Sequence, residues 1–180
     1  SVSVEHGSEF RYRYGAYDAP HTLAIFMSQS GETADTLASL NEAKRRQIMT
    51  MGIVNTVGST LAREVDHGGI YLHAGVETSV ASTKAFTAMV TALLMFGGYI
   101  SNKRGLNSKI MHELAHELSN LEQEISATLK LKPQIDKIAN ELAHHHDWFY
   151  LGRGELYPVA LEGALKISEV AYTHAQAFPT

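Results

Sequence analysis

Twice in this chain a short apolar run gives way to a turn crowded with hydroxyls and then to a helical pattern. Leu23 to Met27 leads into Ser28, Gln29, Ser30, Gly31, Glu32 and Thr33, and an amphipathic pattern opens behind them. Gly69 to Leu72 leads on to Thr78, Ser79, Val80, Ala81, Ser82, Thr83 and Lys84, followed by a long uncharged helical stretch. A buried strand, a turn and a helix start put unpaired N–H groups and a positive dipole end beside the hydroxyls. Gly31 would let the backbone approach a guest closely. In an open parallel sheet such turns all lie at the carboxyl ends of the strands, so two of them can converge on one ligand. The guest that fits is a small phosphorylated molecule. One such loop alone could equally be a helix cap built on Ser30 and Thr33. The repetition is what favours a ligand.

The rest of the chain supports the same architecture. The patterns predict strands at His21 to Met27, Met49 to Asn55, Gly69 to His73 and Trp148 to Gly152. They predict helices at Thr33 to Arg46, Ser59 to Glu64, Ser82 to Ser101, Ser108 to Leu129, Pro133 to His145 and Pro158 to His174. Strands alternating with helices imply an α/β fold, a three-layer parallel sheet with helices on both faces, of the Rossmann-like kind. With 180 residues and 44% hydrophobic side chains the chain can build a real core. A net charge of −4 recommends neither nucleic acid nor an anionic membrane as partner. Lys44, Arg45 and Arg46 read as a solvated helix end. Ala85 to Ile100 is apolar but shorter than the roughly 20 residues of a membrane span, so a central buried helix is expected there. The absence of cysteine excludes a disulfide framework and a cysteine nucleophile within this chain. A start on Ser1 suggests a partial polypeptide.

The wording of several segments resembles a known family. Ser28 to Leu37, Val80 to Phe86, Leu151 to Gly154, Ala160 to Glu169 and Ser8 to Arg13 are similar to the sugar isomerase (SIS) family. Within it they resemble the isomerase region of the glutamine-fructose-6-phosphate aminotransferases, over most of the chain from about Glu5 to Phe178. The resemblance implies an enzyme that makes glucosamine 6-phosphate from fructose 6-phosphate and glutamine for amino-sugar synthesis, cytoplasmic and homodimeric. It implies a separate glutaminase domain, which the cysteine-free chain is expected to lack. It divides the chain into a first SIS subdomain over 1–130, without its opening strand and loop, and a connecting helix plus the start of a second over 131–180. The piece is then truncated at both ends, inactive alone, and inclined to associate through Trp148, Phe149 and Tyr150. Ser28, Gln29, Ser30 and Thr33 are implied on the phosphate, with Ser82 and the backbone near Val80 on the sugar hydroxyls. No cofactor and no metal are implied. A non-catalytic sugar-phosphate regulator is the alternative, since SIS domains serve both uses.

Three constellations carry chemistry. Glu162, Lys166, Glu169 and Thr173 share one stripe of the last predicted helix, opposite Ala160, Ala164, Ile167 and Ala171. Pattern alone leaves open whether that stripe is a solvated surface or an acid–base site. The resemblance implies Glu169 as the isomerisation base and Lys166 as the cation for ring opening and enolate stabilisation. Such a cation would also favour the ionised carboxylate. His112, Glu113 and His116 spell the zinc-protease pattern, but no third histidine follows at the spacing of the extended motif. Arg153, between Gly152 and Gly154, could face an anion or simply build a turn, and is left outside the catalytic set.

Overall fold

The computed structural model describes every residue except Tyr14, Ala16 and Asn107, and every described side chain except that of Ser108. Three parallel strands, β1 (Leu23–Ser28), β2 (Met49–Val54) and β3 (Gly69–Tyr71), lie side by side in that order. Register pairs Leu23 with Met49 and Ser28 with Val54. The carboxyl ends of β1 and β2 therefore finish level, and the two chain exits start side by side.

Helix α1 (Gly7–Phe10) precedes the sheet, α2 (Ala34–Arg45) links β1 to β2, and α3 (Thr60–Glu64) links β2 to β3. Phe26 of β1, Val54 of β2, Leu40 and Ala43 of α2, Ile48, Leu61 and Val65 form one buried cluster. Leu40 and Ala43 stand three apart, one side of a 3.6-residue period, which fixes the face α2 lays on the sheet. Ser39 on the same side is buried and donates its hydroxyl to the Gly7 carbonyl, so burial leaves no orphan there.

The basic end of α2 departs from the expected solvated cluster. Lys44 and Arg45 are exposed, but Arg46 lies under the Phe10 and Tyr17 rings, 5.2 Å and 5.6 Å from their centroids. Its guanidinium donates to Glu42 at 2.6 Å and to the Arg13 carbonyl at 2.9 Å. An N-terminal aromatic segment folding back over the helix end covers it, a long-range event that local charge pattern does not encode. Hydrogen bonds from Arg45 and then Arg46 hold the Glu42 carboxyl down at about 2. A carboxyl lowered in the folded state stabilises above its unfolded value and loses that contribution as pH falls toward the folded one. Unfolding midpoints of the native chain and Glu42→Gln are expected to differ at pH 6 and to draw together by pH 2. A gap that stays constant would refute this.

α4 (Lys84–Lys103) also differs from expectation. It is 20 residues long, and by length and composition alone it could cross a membrane. It is not a buried central helix: Ala85 and Ala92 are buried, whereas Leu94, Met95 and Tyr99 are exposed. A helix of this length runs about 30 Å, while the three residues of β3 span about 10 Å.

The described residues form two compact units, Ser1–Thr78 with Ser82–Ile100, and Ser79–Ala81 with Ser101–Thr180. In the second, α5 (Ser108–Leu129) and α6 (Lys132–Leu142) precede a parallel pair, β4 (Asp147–Gly152) and β5 (His174–Pro179), joined by α7 (Leu156–Ala171). Gly163 packs α7 onto β4, since a Cβ there would come within 2.8 Å of the Tyr150 ring. Trp148 and Tyr150 are half-buried, while Phe149 is exposed and meets Phe178 with ring centroids 5.9 Å apart. The predicted last helix ends three residues early because Tyr172 turns left-handed, at φ 52°. Thr173 thus falls off the expected stripe, and Ala171 is exposed at the helix end. β5 was not expected at all.

Candidate functional site

The first hydroxyl loop leaves β1 at Ser28, which is buried. Its hydroxyl accepts the Gly31 N–H at 2.9 Å and lies 3.3 Å from Thr33 Oγ1. Gly31 has φ +68°, and a Cβ there would meet Ser59, with Ser59 Cβ at 2.5 Å. That internal contact and the left-handed backbone already require a glycine here. Ser30 is not a cap either: its hydroxyl accepts the Glu32 N–H at 3.1 Å inside the turn. Thr33 is the N-cap residue of α2, and no side chain caps that helix. Among the described residues no side-chain hydrogen bond caps the first turn of this twelve-residue helix, an arrangement suited to an oxyanion.

Both acidic side chains near this helix start are turned to other work. Glu32 accepts the Thr60 N–H at 2.7 Å, and that backbone bond lowers its carboxyl below the usual range. Asp35 pairs with Arg11 at 3.5 Å. Asp35 is matched by a cation, whereas Glu32 stays a carboxylate tied to a neutral backbone N–H.

The second loop is held by Glu77. Its carboxylate accepts the Thr83 N–H at 3.2 Å, the Thr83 hydroxyl at 3.0 Å and the Ala85 N–H at 3.0 Å. The Ala85 bond leads the causes that lower its pKa. The start of α4 is therefore capped from within, unlike that of α2. Val80 is fully exposed and Ser82 is half-buried. Glu77→Ala is expected to speed amide exchange at Thr83 and Ala85 while leaving the α2 amides unchanged. Equal protection in both proteins would rule the cap out.

On α7, Lys166 Nζ lies 2.7 Å from Glu169 Oε2 and 3.3 Å from Glu162 Oε1. Burial disfavours the ammonium, but the hydrogen bond to Glu169 and the attraction of both carboxylates outweigh it and raise the Lys166 pKa. One helical turn thus presents a permanent cation beside a partly exposed carboxylate. Arg153 instead spends its Nε–H on the Thr180 carbonyl at 2.5 Å. In the histidine pattern on α5, Glu113 pairs with Lys109 at 3.8 Å and His116 contacts Asn120 and Glu117. Among the described residues no three His, Cys, Asp or Glu side chains come together as a metal site.

Residues 1–97, more than half of the chain, match the SIS domain family. The chain belongs to the SIS domain family. This SIS chain is 43% identical over 99% of its length to glutamine-fructose-6-phosphate aminotransferase [isomerizing] of Bacteroides thetaiotaomicron. It is 44% identical over 97% of its length to the protein of that name from Escherichia coli K12. It spans 29% of each relative. The C-terminal domain of glucosamine-fructose-6-phosphate aminotransferase from Francisella tularensis superposes with a TM-score of 0.92 at 42% identity, over 98% of this chain and 50% of that one. The parallel α/β architecture agrees with the expectation from sequence.

The matched segment contains Ser28, Gln29, Ser30, Thr33, Val80 and Ser82, whereas Lys166 and Glu169 lie beyond it. Sequence reasoning did not single out Asn55 or Glu77. Asn55 directly follows the last residue of β2, and the rule that ligands gather at carboxyl ends of strands would have selected it.

Proposed function

We propose that this SIS chain is the sugar-phosphate-binding part of an enzyme converting fructose 6-phosphate and glutamine to glucosamine 6-phosphate. The uncapped start of α2 behind the hydroxyl loop carries the reading. Ser28, Gln29, Ser30, Thr33 and the α2 amides take the phosphate, with Ser82 and the backbone at Val80 on the sugar hydroxyls. Glu169 serves as the base that moves a proton between C1 and C2, and Lys166 as the cation beside the developing oxyanion. The identities above support the assignment, as does the 2.7 Å Lys166–Glu169 pair, since a regulator has no use for a base. A glutaminase domain on the same protein, a homodimer, a cytoplasmic location, supply of UDP-N-acetylglucosamine synthesis and a subdomain boundary at 130/131 belong to the same proposal.

Titration of the full-length protein with fructose 6-phosphate tests the phosphate loop. Ser28→Ala with Thr33→Ala removes two hydroxyls from a charged ligand, and affinity is expected to fall roughly 10- to 100-fold or more. Unchanged affinity would sink the assignment.

A further inference from the structure

We infer that Asn55 is a positioning residue that sets the spacing between the phosphate loop and the chain leading to Ser82. The inference rests on the function proposed above. The Gln29 carbonyl accepts the Asn55 N–H at 3.3 Å, the Thr56 N–H at 3.1 Å and the Thr56 hydroxyl at 3.3 Å. The phosphate loop is thereby fastened to the end of β2. The Asn55 side chain reaches the other way. Its Nδ2 donates to the Gly75 carbonyl at 2.8 Å, and its Oδ1 accepts the Ala74 N–H at 2.9 Å. Residues 29 and 74–75 thus meet at one half-buried residue, the first through its backbone N–H and the others through its side-chain amide.

The geometry at Asn55 suits an amide in particular. A carboxylate could not donate to Gly75, and an alkyl group would leave a peptide N–H and C=O unpaired just past His73, which is left-handed at φ 52°. Glu77 closes the far end of the same segment on Thr83 and Ala85. Between these two clamps the chain carries Ser82 without regular structure of its own. Inorganic phosphate needs only the first loop, whereas a sugar phosphate needs both at a fixed separation. Asn55 therefore governs discrimination between the two.

The test compares inorganic phosphate and fructose 6-phosphate binding to the full-length protein and to Asn55→Ala. Two lost side-chain hydrogen bonds correspond to about a tenfold loss for the sugar phosphate, with phosphate affinity unchanged. In an Asn55→Ala background, Ser82→Ala is expected to cost little more, since the contact it removes is already misplaced. Equal losses for both ligands, or none, would overturn the inference. A native protein that binds neither ligand would instead overturn the proposed function on which it rests. Should Asn55→Ala not fold, amide exchange at Ala74 of the native protein decides. Slowing by fructose 6-phosphate but not by inorganic phosphate supports the bracket, and an equal response to both, or to neither, refutes it.

Discussion

Glu169→Gln is expected to lower glucosamine 6-phosphate formation by the full-length protein roughly 100- to 10,000-fold, the usual contribution of a positioned general base. The amide keeps the size and the hydrogen-bonding oxygen of the native side chain, so the 2.7 Å contact with Lys166 can persist. What disappears is the ability to accept a proton from carbon. The KM for fructose 6-phosphate should change little, because the phosphate is assigned to a different loop. Lys166→Ala should also lower turnover by removing the cation from the developing oxyanion, and it would leave Glu162 and Glu169 without the ammonium they now share. The assay is product formation at saturating substrate. Turnover within threefold of native in Glu169→Gln would show that the base lies elsewhere.

The strands that carry the site were legible because apolar runs of five or six residues ending in polar turns have few other folded states. β5 was not, since His174, Ala175, Gln176 and Ala177 lack the branched or aromatic side chains that mark strands; pairing with β4 supplies the order. The continuous helical pattern through Thr173 was broken by a left-handed Tyr172, and no local glycine announced that turn. In the site, the hydroxyl residues could be read from their own loop. Their supports could not: Asn55 acts on residues about 20 positions away and on Gln29 across the sheet, and Glu77 acts six and eight residues ahead. Binding residues cluster along the sequence, whereas the residues that hold them are chosen by topology. Arg46 shows the same limit, for its aromatic cover comes from Phe10 and Tyr17, more than a helix length upstream.

Gly31→Ala is the substitution expected to damage the fold of the phosphate loop most. Two independent costs meet there. The residue holds φ +68°, which an L side chain adopts only with strain, and the new methyl would lie against Ser59 at the start of α3. The neighbourhood has little room to yield, because Gly31 and Ser59 are both buried and the Gly31 carbonyl accepts the Leu61 N–H at 3.0 Å. Strain and overpacking together come to about 2–4 kcal/mol, a large share of a small domain's stability. Denaturant unfolding of the native chain and the variant measures the loss. The two costs can be separated by adding Ser59→Gly, which removes the side chain the methyl would strike; among the described residues no group bonds to the Ser59 hydroxyl, so this second change forfeits no hydrogen bond seen there. Partial recovery in the double variant is expected, with the remainder reflecting backbone strain. A Gly31→Ala protein as stable as the native one would mean that the loop relaxes freely, and the pre-formed phosphate cradle would then be lost as an explanation for the uncapped start of α2.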